Sequence, residues 1–92
     1  MEKIKEVLLK RGYTDKQVNA VIDDLMALDE SLKDGFSLWV ESEKETDYTI
    51  KGITLSELKN KFGMTYPAAL LTMDWIVKEP EKAIESINRG IR

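Results

Sequence analysis

A chain of 92 residues carrying 14 basic and 17 acidic side chains has length enough for one hydrophobic core and a net charge of -3. It holds no cysteine and no histidine, which excludes disulfides, thiolate chemistry and the commonest metal ligands and leaves only carboxylate, lysine, tyrosine or serine chemistry. The reading is therefore a non-enzyme with no catalytic residues, cofactor or metal. The charge is uneven: residues 1–47 balance at -5 and residues 48–92 at +2, so any nucleic-acid contact belongs to the second half.

The opening Met1-Glu2-Lys3-Ile4-Lys5-Glu6 alternates charges without entering a long apolar run, and predicts neither a secretory signal nor a membrane span. The expectation is a cytoplasmic protein with no membrane partner. Ile4, Val7 and Leu8 share the face of a first short helix, and Gly12 fits the left-handed position that ends it. Thr14 then caps a second helix on which Val18, Val21, Ile22, Leu25 and Leu28 form one stripe. Asp29 or Ser31 caps a third, burying Leu32, Phe36, Trp39 and Val40, with Gly35 in its middle at about 1 kcal/mol relative to alanine.

Residues 44–47 fall in an acidic stretch with no apolar side chain, and read as a solvated loop. Residues 48–53 alternate with β-branched side chains but have no obvious partner strand, and read as extended. Thr54-Leu55-Ser56-Glu57 is a capping box that opens a fourth helix with Leu55, Leu58 and Phe62 inward, closed by Gly63. Thr65 and Pro67 restart the chain as a fifth helix, 66–78, which is apolar almost all round and so belongs at the centre. Past Pro80, Ala83, Ile84, Ile87 and Ile91 mark a sixth, closed by Gly90. The prediction is an all-α compact bundle of about six short helices in a single domain, 1–92, with a helical lobe at 1–43, the loop at 44–47 and a second lobe at 48–92.

Thr54, Leu55, Glu57, Leu58, Phe62, Gly63, Met64, Thr65, Ala69 and Met73 fall in register with the helix-turn-helix of DNA-binding proteins, which residues 54–73 resemble. That resemblance implies a second helix laid in the major groove, with Lys51, Lys59, Lys61 and Tyr66 as nucleic-acid contacts. The groove-facing positions Tyr66, Pro67, Ala68, Leu70, Leu71 and Thr72 include no Arg, Lys, Asn or Gln to read bases.

Residues 4–40, with Gly12 and Tyr13 in the first turn, are similar to the three-helix ubiquitin-associated module, whose glycine-plus-aromatic loop helps grip an apolar patch on a partner. Arg11 stands where that module has an apolar residue. The overall pattern resembles small bacterial proteins, which implies no activity. The leading expectation is a protein-interaction or accessory module that binds a protein or itself through Leu70, Leu71 and Trp75; the alternative is a nucleic-acid-binding regulator.

Overall fold

The computed structural model describes residues 2–90. Six helices follow in order: α1 (Glu2–Lys10), α2 (Asp15–Met26), α3 (Glu30–Ser42), α4 (Leu55–Phe62), α5 (Tyr66–Lys78) and α6 (Pro80–Asn88), with a small hairpin, β1 (Thr49–Ile50) and β2 (Ile53–Thr54), between α3 and α4. The chain is thus an all-α bundle with one minor β element, and no helix among the described residues is long and apolar enough to cross a membrane.

Local chemistry accounts for most of the boundaries. Gly12 takes φ 96°, and the N–H groups of Gly12 and Tyr13 close onto Leu9 and Leu8, ending α1 in a conformation that glycine adopts without strain. Thr14 accepts the Gln17 amide while the Gln17 side chain returns to the Thr14 N–H. Thr54 and Glu57 repeat that reciprocal cap on α4, as their spacing foretold. Asp29, rather than Ser31, caps α3; it accepts both the amide and the hydroxyl of Ser31, and these bonds hold its carboxyl below the usual range. Thr65 caps α5, with Pro67 in its first turn.

The segment 48–53, expected to lie extended without a partner strand, in fact folds back on itself as most of the hairpin, paired Thr49 to Thr54 and Ile50 to Ile53. Its two-residue turn places both Lys51 (φ 54°) and Gly52 (φ 79°) in the left-handed region, the requirement of a tight turn matched to strand twist. The Asp47 carboxylate receives the N–H groups of Tyr48 and Ser56 and so ties the hairpin to the start of α4. Desolvation pushes its pKa up, but the hydrogen bonds from Ser56, Tyr48 and Leu55 outweigh that and leave it lowered. Ile91, expected on the last helical stripe, lies outside the described residues, as does Arg92.

One buried cluster draws on every helix. It includes Leu8, Val18, Leu25, Leu28, Leu32, Phe36 and Trp39 from the first half, and Leu55, Leu58, Tyr66, Ala69, Leu70, Met73, Ile76, Ala83 and Ile87 from the second. Helix α5 touches α2, α3, α4, α6 and β1, and of its side chains only Lys78 is exposed. Trp39 stacks between Phe36 and Tyr66, with ring centroids 6.1 and 6.0 Å away. Two polar devices fasten the halves together. The Tyr48 hydroxyl accepts the Gly35 N–H at 2.8 Å. Asp74, only 8 % exposed, accepts the Asp29 N–H at 2.9 Å and pairs at 2.8 Å with Lys78, whose ammonium also donates to the Ala27 carbonyl at 2.9 Å.

Gly35 therefore has a reason that helix propensity lacks: a Cβ there would lie 2.7 Å from Cε2 and 2.9 Å from Cζ of the Tyr48 ring. Overpacking of this kind costs about 1–3 kcal/mol, more than the roughly 1 kcal/mol that alanine returns to a helix. Gly35→Ala is expected to lower Tm in a circular-dichroism melt by roughly 5–10 °C, and an unchanged or raised Tm would show that the Tyr48 ring can swing aside. Asp74→Ala strands the Asp29 amide and should cost about 1–3 kcal/mol in urea unfolding. Lys78→Met leaves the buried Asp74 carboxylate without its counter-charge and the Ala27 carbonyl without its donor, and should also cost about 1–3 kcal/mol.

Candidate interaction surface

The side chains expected to meet a partner divide according to where α5 touches its neighbours. Leu70, 0 % exposed, is in the core, so it is withdrawn from the proposed interface. Leu71 and Trp75, one turn apart, remain partly exposed along the edge of α5 between α2 and α6.

Trp75 is a wall shared by two clefts. One, of about 330 Å³, is lined on the α2 side by Asp24 and Ala27 and otherwise by Leu71, Asp74, Lys78 and Glu79. The other, of about 290 Å³, lies toward α6 and is lined by Lys82, Glu85, Ser86 and Arg89. The Trp75 indole N–H donates to the Glu79 carboxylate at 3.0 Å, and Lys82 pairs with the same carboxylate at 3.5 Å. The indole is thus held in place with its polar edge satisfied.

The candidate nucleic-acid contacts are not brought together on α5. Tyr66, 2 % exposed, is buried, and its hydroxyl donates to the Thr46 carbonyl at 2.9 Å; it is withdrawn from the surface set. Lys59 is ion-paired with Glu45, and the Lys61 ammonium stands 5.7 Å from the Phe62 ring centre. Lys51 sits in the hairpin turn and lines an open groove along α6, where Arg89 is accompanied by Glu81 and Glu85. Between α4 and α5 the chain turns at Gly63, in the left-handed region, and Thr65, which caps α5, and the helix that follows is the enclosed one.

The glycine-aromatic turn after α1 is likewise engaged within the chain. The Tyr13 hydroxyl bonds to Thr65 Oγ1 at 2.7 Å, and the Arg11 guanidinium lies 4.3 Å over the Trp39 ring while pairing with Glu43 at 3.3 Å. One apolar feature gave no distinct sequence signal. Met26, 43 % exposed, borders a groove of about 190 Å³ with Ile4, Leu25, Phe36 and Ser37, because α1 crosses near the junction of α2 and α3. Among the described residues no cluster of acidic side chains could hold a metal ion.

Burial, reinforced by Tyr48 and Glu45 nearby, pushes the Tyr66 phenol up to about 12. A folded-state pKa above the ordinary value of 10 gives stability that is complete below pH 10 and is lost as pH rises toward 12. Absorbance at the phenolate band should show one of the three tyrosines ionising together with alkaline unfolding. The Tyr66→Phe variant should lack that step; its persistence would assign the late titration elsewhere. Comparison of the chain with protein-family models, with curated proteins and with solved structures returned no match.

Proposed function

We propose that the chain is a non-enzymatic protein-interaction module, of an accessory or regulatory kind, that docks through Leu71 and Trp75. The observation that carries this reading is the placement of Trp75: partly exposed, oriented by Glu79, and flanked on both sides by clefts with charged rims. A rigid aromatic anchor beside pockets, with a polar rim, is the arrangement in which binding energy concentrates at protein interfaces. Asp74, Tyr48 and Tyr66 meanwhile serve the fold, since each engages main-chain groups of distant segments. Binding of nucleic acid through α5 has less support, because that helix offers only Lys78 as an exposed side chain.

The reading is tested with the immobilised full chain and with separate Leu71→Glu and Trp75→Glu variants, each checked for helicity, exposed to a lysate of the source cells. Proteins held by wild type should be retained at least about tenfold less by the folded variants. Equal retention of the same proteins by all three would remove this surface. If either glutamate unfolds the chain, Lys82→Glu, at a side chain 75 % exposed, tests the rim alone.

A further inference from the structure

The two clefts beside Trp75 differ in charge. Toward α2, three carboxylates (Asp24, Asp74 and Glu79) face one ammonium, Lys78. Toward α6, two cations (Lys82 and Arg89) face one carboxylate, Glu85. A ridge that is acidic on one flank and basic on the other is complementary to itself. A two-fold axis lying in the contact plane and running along the ridge at Trp75 exchanges the flanks, so that each copy's acidic side meets the other's basic side while indole meets indole.

We propose that the occupant of this surface is a second copy of the same chain, docked through such a two-fold contact. The inference rests on the reading of Leu71 and Trp75 as an interaction surface and names its partner. Desolvation of Trp75 and Leu71 supplies the affinity, while the flanking charges set orientation and register, because solvent-exposed ion pairs are individually weak. The internal pairs Lys82–Glu79 and Arg89–Glu85 do not consume the rim, since these side chains remain half or more exposed. The Met26 groove lacks this property: its one charged lining residue is Lys33, which provides no opposite flank.

Sedimentation equilibrium of the full chain over a range of concentrations tests the proposal. The wild-type mass should rise with concentration from 10.6 kDa toward twice that value. Asp24→Lys combined with Glu79→Gln, which keeps an acceptor for the indole N–H, makes both flanks basic, and Arg89→Glu alone makes both acidic; each change should weaken association about tenfold. Combining them reverses both flanks, restores opposite signs across the axis and should recover most of the loss. Should Arg89→Glu disturb α6, Lys82→Glu replaces it.

A mass fixed at 10.6 kDa throughout overturns the two-fold contact. So does a dimer indifferent to the single reversals, or one not rescued by the double reversal. A monomer that still captures a cellular protein through Trp75 leaves the interaction reading standing and removes only the self-pairing. A monomer whose capture ignores Leu71 and Trp75 removes both.

Discussion

A thirteen-residue helix without a polar face cannot rest on the outside of a protein, and the enclosure of α5 is the constraint on which the remaining architecture depends. Four helices and a hairpin strand pack around it. Its entry is fixed by Thr65 and Pro67, and its exit by Pro80 at the start of α6. The short helices α1 and α4 would be marginal alone in water; they gain stability by burying Leu8, Leu55 and Leu58 in the cluster that α5 completes. Even the hairpin contributes a contact to α5, and its neighbour Tyr48 reaches α3 through Gly35.

The same constraint explains the division of labour among polar groups. Enclosing α5 brings Asp74 inside, and a buried carboxylate needs partners. The Asp29 amide and the Lys78 ammonium provide them. Where α5 reaches the surface, between α2 and α6, its apolar side chains have no further element to cover them. The candidate site is therefore the open margin of an otherwise enclosed helix, framed by charges that belong to its neighbours.

Element order, the Thr54–Glu57 box and the terminal role of Gly12 and Gly63 were legible because they depend on residues a few positions apart. Legibility failed where meaning depends on distant partners. Gly35 reads as a helix weakness until Tyr48, thirteen residues later, is placed against it. The hairpin was missed because Lys51 gives no cue to its left-handed conformation. Leu70 and Leu71 are equivalent in a helix apolar all round, since periodicity locates an outward side only when one side is polar; the neighbours bury the first and leave the second at the edge. Tyr66 was misplaced for the same reason.

The fastening at Asp74 and Lys78 also bears on the order in which the molecule can take shape. The Ala27 carbonyl and the Asp29 amide flank the corner between α2 and α3, and both are satisfied from α5, some fifty residues downstream. Three helices made early in synthesis thus lack the groups that fix their corner until the chain has emerged past Lys78 and α5 has docked. The corner belongs to the cooperative unit of the whole domain rather than to the first half, and its amides should open to exchange with global unfolding, not through local fraying.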